Sequence, residues 1–177
     1  MGTRKLAYKP TNFPDGKYLL IPSVSSESRQ YIPIGFMKPD DLDSNFFFIV
    51  PNATLYYFGI LISSIHMAWL RTVGGRLESR YRYSKDVVYN NFVWCEPSDK
   101  QRVAIEKFAQ KILDIRDNYP DATFAELYDE VSMPYDLRQA HHANDQAVAH
   151  VYGFENLLNN ESAVVSALLY LYKKFSS

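Results

Sequence analysis

The first half of the chain alternates short apolar runs with polar segments that contain proline. The runs are KYLLIPSV (17–24), QYIPIGFM (30–37) and NFFFIV (45–50). Runs of this length, rich in aromatic and aliphatic side chains, predict strands. The prolines in the first two runs favour edge strands or bends. The third run is apolar throughout and predicts a strand in the core.

A longer apolar stretch, PNATLYYFGILISSIHMAWLRTVGG (51–75), predicts one long buried helix. Asn52 is the predicted N-cap, and Gly74 or Gly75 is predicted to end the helix in a left-handed conformation. Its most apolar part, residues 55–70, is shorter than a membrane span and contains two serines and a histidine. No transmembrane segment is therefore predicted.

The second half shows helical periodicity throughout, in segments 98–119, 123–131, 134–153 and 161–175. The first segment is predicted to begin at Ser98 or Asp99, Thr123 and Glu126 have the spacing of a capping box, and Gly153 follows the end of the third segment. The pattern predicts an α+β fold, in which a small mixed β-sheet packs on the long buried helix and an α-helical C-terminal domain follows.

Composition narrows the class of protein. Of 177 residues, 47% are hydrophobic and 15% aromatic, which is enough to bury a core. The single cysteine, Cys95, cannot form an internal disulfide, so a reducing, cytoplasmic location is expected. The first residues lack the apolar segment of a signal peptide.

The charge is uneven although the net charge is only −1. Residues 1–95 contain 11 Lys and Arg against 7 Asp and Glu, a net +4, and residues 96–177 contain 8 against 13, a net −5. Two explanations are open. The difference is an ordinary fluctuation in composition, or the first half of the chain faces a polyanion.

The segment GGRLESRYRYSKD (74–86) holds a dense mixture of charge. As one continuous strand it would place a polar set of side chains on one face and a second, more apolar set on the other. The polar set is Arg76, Glu78, Arg80, Arg82 and Ser84, and the second set is Leu77, Ser79, Tyr81, Tyr83 and Lys85.

Residues two apart on a strand lie roughly 6.6 Å apart, so Glu78 and Arg80 can reach one base pair or two neighbouring ones. Glutamate accepts a hydrogen bond from cytosine N4, and arginine donates two to guanine O6 and N7, which together match a C·G pair. Arg76, Arg82 and Lys85 would then contact phosphates. The alternative is an ion pair on a solvated edge strand, where charge prevents aggregation.

The segment VSSESRQY (24–31) is a second candidate for DNA contact, since serine hydroxyls and Arg29 suit phosphate oxygens. A plain polar loop is the alternative. The histidines at 66, 141, 142 and 150 lack the spacing of a zinc site, and His66 is predicted to be a hydrogen-bonded core residue. Cys95 has no neighbouring histidine, and no nucleotide-binding or hydrolase motif occurs, so neither a catalytic residue nor a bound cofactor is predicted.

Three stretches carry a family resemblance: YIPIGF, the block IVPNATLYYFGILISSIHMAWLRTVGGRLESRYRYSKDVVYNNF, and DATFAELYDEVSMPYDLRQAHHANDQAVAHVYGF. They resemble the C-terminal part of MmeI-like type IIL (type IIG) restriction–modification proteins, from about residue 18 to about residue 173. These bacterial proteins fuse an endonuclease, a helical spacer, an adenine-N6 DNA methyltransferase, a target recognition domain and a helical C-terminal domain. The family usually reads Asn-Asn-Phe-Pro-Trp-Pro, where this chain has Val93 and Cys95 in place of both prolines.

The resemblance implies that residues 1–94 are the target recognition domain and residues 95–177 the helical C-terminal domain. It places Glu78 and Arg80 among base-contacting residues and makes Ser25, Ser26 and Arg29 candidates for the DNA backbone. The catalytic portions, with their S-adenosylmethionine, would lie outside this chain, which is expected to be a non-enzymatic piece of a methyltransferase. The implied partners are duplex DNA and the methyltransferase domain. A module that docks on the catalytic domain without reading DNA is the alternative function.

Overall fold

The computed structural model describes residues 17–37 and 47–175. It confirms the predicted α+β class, with strands followed by a helical C-terminal part. The elements are β1 (Tyr18–Pro22), β2 (Val24–Ser25), β3 (Gly35–Met37), β4 (Phe47–Pro51), α1 (Leu55–Leu61), α2 (Ser64–Val73), β5 (Gly75–Leu77), β6 (Arg80–Arg82), a π-helical turn (Lys85–Tyr89), α3 (Asp99–Asp117), α4 (Phe124–Leu127), α5 (Tyr135–Tyr152) and α6 (Glu161–Phe175). No helix in this part of the chain is long and apolar enough to cross a membrane.

The described strands form two three-stranded antiparallel sheets rather than one mixed sheet. In the first, β1 lies between β3 and β4, and Leu19 is paired with Phe36 on one side and Val50 on the other. Of the two predicted alternatives, an edge strand or a bend, the first run takes the second, because Pro22 is the last residue of the central strand β1 and a bend follows at Ser23. The apolar run that contains β4 forms an edge of this sheet instead.

The predicted long helix is divided into α1 and α2 at Ile62 and Ser63. Ser63 becomes a new N-cap, because its side chain accepts a hydrogen bond from the backbone N–H of His66 at 3.2 Å. The predicted N-cap Asn52 is wrong, since Thr54 takes that place. Gly74 ends α2 without a left-handed backbone (φ −67°), and a Cβ there would lie 2.5 Å from the Leu70 carbonyl oxygen.

Local signals in the helical half are confirmed. Ser98 forms a capping box at the start of α3, and Thr123 with Glu126 forms one at α4. Gly153 ends α5 with φ +69°, the left-handed conformation that glycine adopts at little cost.

Buried polar side chains join the two halves across a shared apolar core. Asp145 of α5 accepts hydrogen bonds of 2.8 Å from the Tyr31 hydroxyl and from the backbone N–H of Ser64. Arg116 of α3 donates to the Ile34 carbonyl at 2.7 Å and to the Tyr128 hydroxyl. Buried hydrogen bonds thus connect the strand-containing half to α3 and α5.

Candidate nucleic-acid interface

The second sheet, with strand order β2-β6-β5, carries the charged segment. Strands β5 and β6 form a hairpin in which Leu77 pairs with Arg80, so Glu78 and Ser79 alone make the turn. The prediction of one continuous strand over residues 76–84 is therefore wrong. A two-residue turn preserves an alternating polar pattern in the sequence, so the pattern could not reveal it.

The hairpin changes which side chains share a face. Directly paired residues of antiparallel strands point to the same side of the sheet, and Arg76 pairs with the buried Tyr81. Arg76 thus leaves the predicted polar face, while Arg80 and Arg82 stay together on the other face with Leu77. Paired residues are an odd number of positions apart in the sequence. An even-numbered residue before the turn therefore lies on the same face as an odd-numbered residue after it.

Glu78 and Arg80 lie together at the tip of the hairpin. Arg80 Nη2 donates to Glu78 Oε2 at 2.8 Å, and the side chains are 49% and 78% exposed for Arg80 and Glu78, respectively. The structure brings this predicted pair together in solvent. A guanidinium and a carboxylate here present donors and acceptors side by side to an approaching ligand.

Glu78 adopts φ +57°, a region that side chains with a Cβ occupy at a cost. We expect Glu78→Gly to leave the free energy of unfolding unchanged or raise it by up to about 1 kcal/mol, because glycine removes that strain. Urea unfolding measures this. Ser79→Gly is the matched control in the same turn without positive φ and is expected to lose about 0.5–1 kcal/mol. Equal losses in both variants would contradict the assigned backbone.

Arg76 is held within the hairpin. Its guanidinium stacks 4.0 Å from the centre of the Tyr81 ring, and Nη1 donates to the Ser79 carbonyl at 3.1 Å. These contacts connect the turn to a buried side chain. Arg82 and Lys85 are exposed, and within the described part of the chain neither forms an ion pair.

The serine-rich segment lies beside the hairpin, because β2 pairs with β6 and Ser25 is opposite Tyr81. Ser25 is only 3% exposed, so its hydroxyl does not face a ligand as predicted, and it has no hydrogen-bond partner among the described residues. Beyond the strand, Ser26 Oγ lies 2.9 Å from Ser28 Oγ. Arg29 is half-buried at the end of this turn.

The base of the hairpin is fixed in the core. The Tyr83 N–H donates to the Ser23 carbonyl at 2.9 Å, and the Tyr83 hydroxyl lies 2.6 Å from Nε2 of His66. Burial lowers the pKa of His66 to about 3 and raises that of Tyr83 well above its usual value. Both groups are therefore neutral, and His66 is the hydrogen-bonded core residue that its apolar surroundings predicted.

Sequence reasoning missed Arg71 and Tyr81 as parts of this surface. Arg71 reaches Glu161, which is 90 positions away in the chain. No local pattern signals a contact over that separation. Tyr81 was predicted to lie on the face opposite to Arg80 and Arg82, as observed, but its contact with Arg76 depends on the turn.

Comparison with known proteins gives the family. A family model of the MmeI target recognition domain matches residues 1–96, and one of the MmeI C-terminal domain matches residues 97–177. DNA methyltransferase A of Bacillus subtilis (strain 168) is 38% identical over 180 residues, covering 99% of this chain and 20% of that protein.

A structural comparison agrees. MmeI, a type IIL restriction–modification enzyme solved in complex with DNA, matches 93% of this chain with a TM-score of 0.89 and 48% identity, while the match covers 22% of the MmeI chain. The chain thus spans about a fifth of the length of both relatives. Neither matched domain is a catalytic one. The chain therefore belongs to the MmeI family of restriction–modification proteins and consists of that family's target recognition and C-terminal domains.

Proposed function

We propose that this chain reads the sequence of duplex DNA by presenting Glu78 and Arg80 to base edges in the major groove. The observation that carries the proposal is the exposed acid–base pair at the hairpin tip, with N···O at 2.8 Å. Such a pair is matched to the cytosine amino group and the O6 and N7 acceptors of guanine. Exposed ion pairs stabilise a fold by only about 0–1 kcal/mol, so folding gives little reason for this one.

Positive side chains around the tip would fix the position of the DNA without reading its sequence. Arg82 and Lys85 are exposed for this role, and Ser26 and Arg29 lie on the neighbouring turn. Ser25 is left out because its side chain is buried. Arg76 supports the tip through Tyr81 and Ser79, which makes it an auxiliary residue.

Residues 1–94 would form the reading domain, and residues 95–177 would support it and help to hold the duplex. The DNA would be presented to an adjoining adenine-N6 methyltransferase domain, which flips the target base and uses S-adenosylmethionine. Support comes from the relatives, one of which is a DNA methyltransferase and the other a restriction–modification enzyme bound to DNA. Catalysis would belong to that domain and not to this chain.

Arg80→Ala is expected to cost about 1–3 kcal/mol of binding free energy at a single base pair and to relax the preference there. The matched control is Arg82→Ala, two positions away on the same strand and face. It should weaken binding to all sequences alike and reduce the dependence of log K on log salt by about 0.9. Selection from a randomised duplex library at about 50 mM salt, followed by salt titrations, measures both effects.

Equal losses on all sequences for both variants would contradict the assignment of Arg80. If wild type shows no salt-dependent binding to any duplex at about 50 mM salt, the alternative of a docking module for the catalytic domain is favoured instead. A second measurement is the mapping of methylated adenines, made with the protein in which this chain is joined to a methyltransferase domain. Altering Glu78 and Arg80 together should change the methylated sequence at one base pair while methylation itself continues.

A further inference from the structure

Arg71, near the end of α2, joins three separate parts of the molecule. Its Nη1 donates to Glu161 Oε2 of α6 at 2.7 Å. Its Nη2 donates to the backbone carbonyls of Arg29 and Gln30 at 3.4 and 3.3 Å. Its guanidinium lies 6.0 Å from the centre of the Tyr81 ring, whose side chain is on the face of the hairpin opposite to Arg80 and Arg82.

The chemistry of this group suits a fixed connection. A guanidinium is planar, so one plane orients both the carboxylate of Glu161 and the two carbonyls. The Arg71 side chain is only 22% exposed, which strengthens the charge-assisted hydrogen bonds relative to those in open solvent. A lysine ammonium has no such fork and cannot hold the carboxylate and the carbonyls in one plane.

The partners of Arg71 belong to different halves. Glu161 is in the first turn of α6, which also packs on α2 where the rings of Trp69 and Tyr172 lie 5.8 Å apart. The two carbonyls end the serine-containing turn that follows β2, and β2 pairs with β6. Movement of α6 would therefore be transmitted to the segment next to the hairpin.

We propose that Arg71 is a positioning residue through which α6 of the C-terminal half sets the orientation of the serine-containing turn and the hairpin. Sequence preference at the base pair read by Glu78 and Arg80 would then depend on a residue that does not touch DNA. The inference rests on the proposed function, since it assigns the C-terminal half a part in the same reading site.

The test compares Arg71→Met with Arg102→Met in the full 177-residue chain. Arg102 is a matched control because it also joins the halves, with its guanidinium 4.6 Å from the Tyr56 ring, yet contacts neither the turn nor the hairpin. Arg71→Met is expected to lower the ratio of cognate to non-cognate binding about tenfold, while Arg102→Met leaves the ratio unchanged. The salt dependence of Arg71→Met should match that of wild type.

The exchanged pair Arg71→Glu with Glu161→Arg separates the two sets of contacts. It re-forms the ion pair, so the melting temperature should recover relative to Arg71→Met. It supplies no donor to the carbonyls of Arg29 and Gln30, so the binding ratio should stay low. Full recovery of the ratio would overturn the role of those carbonyls. A fall in the salt slope of about one unit in Arg71→Met would show a direct phosphate contact instead.

Amide hydrogen exchange tests the positioning without DNA. Arg71→Met should raise the exchange rates of residues 24–30 and 75–82 about tenfold, and Arg102→Met should not. Unchanged exchange in Arg71→Met would overturn the proposal even if DNA binding falls. If wild type shows no sequence preference, the proposed function fails, whereas the exchange result still decides whether Arg71 positions these segments.

Discussion

Gly59→Val is expected to lower the free energy of unfolding by about 3 kcal/mol, because it overpacks the junction of the two halves. Gly59 is buried in α1, where a Cβ would lie 2.5 Å from Ile105 Cγ2 and 3.0 Å from Asn144 Oδ1. Ile105 is β-branched and fully buried, so its methyl group has little freedom to move aside. The helix would have to shift away from α3 and α5.

The same shift would strain a buried hydrogen bond, since Asn144 Nδ2 donates to the Gly59 carbonyl at 2.8 Å. Gly59→Ala is expected to lose less, because the higher helix propensity of alanine offsets about 1 kcal/mol of the clash. Gly75→Ala is the matched control, since the nearest atom to its added Cβ is Arg82 Cβ at 3.8 Å.

Urea denaturation followed by circular dichroism measures the three variants. The order of loss should be Gly59→Val, then Gly59→Ala, with Gly75→Ala nearest to wild type. If Gly59→Val is as stable as Gly75→Ala, α1 does not pack on α3 as closely as described. The proposed DNA binding should fall together with stability, because α1 contacts β3 through Phe58 and Phe36 and α2 contacts β6 through Arg71 and Tyr81.

Acidification from pH 7 to pH 5 is expected to destabilise the protein through its two fully buried histidines. Burial lowers the pKa of His66 from 6.5 to about 3, and burial together with Arg116 and His142 lowers that of His141 well below 6.5. The unfolded chain therefore binds protons below pH 6.5 that the folded chain does not. The stability that depends on the two neutral histidines is fully present above about pH 6.5 and is lost as the pH drops below it. His66 alone accounts for about 2 kcal/mol at pH 5.

Asp145 has the opposite effect on the stability of the protein as the pH falls. Burial raises the pKa of its carboxyl from 3.8 to about 6, although the hydrogen bonds from Ser64 and Tyr31 oppose the shift. The folded chain holds this proton more tightly, so protonation adds stability as pH falls from about 6 towards 4. The gain at pH 5 is about 1 kcal/mol, which does not offset the histidines.

Thermal or urea unfolding across pH 5–8 checks this balance. His66→Gln and His141→Gln should each flatten the curve below pH 6.5, whatever their stability at pH 7. His142→Gln is the matched control, because His142 is exposed and is the smallest contributor to the lowered pKa of His141. Asp145→Asn should steepen the loss, since it removes the opposing group. If the His66→Gln variant lost stability below pH 6.5 as steeply as wild type, the assignment of a neutral buried imidazole at His66 would be contradicted.

The hairpin illustrates how much of the site the sequence could predict. The exposure of Glu78 and Arg80 and their proximity followed from composition and spacing, and both are observed. The turn formed by Glu78 and Ser79 did not follow, because a two-residue tip of Glu and Ser lacks the glycine or asparagine that normally marks one. Arg76 was consequently assigned to the wrong face, and its contact with Tyr81 was unforeseen.

Burial of polar side chains was likewise beyond the sequence. Ser25 and Ser26 are adjacent serines in one polar segment, yet only Ser26 is left partly open to solvent. The difference arises because Ser25 pairs with Tyr81 of a strand far along the chain. A pattern within eight residues carries no information about that partner.

The sequence by itself determined the α+β class, the positions of the main helices, and their local ends at Ser98, Thr123 and Gly153. Those features depend on neighbouring residues, whose hydrogen bonds and backbone preferences operate over four or five positions. The tertiary structure decided the division into two sheets, the face that Arg76 shares with Tyr81, and the contacts of Arg71 and Asp145. Each of these joins groups that lie far apart in the chain, and only packing of the apolar core brings them within hydrogen-bonding distance.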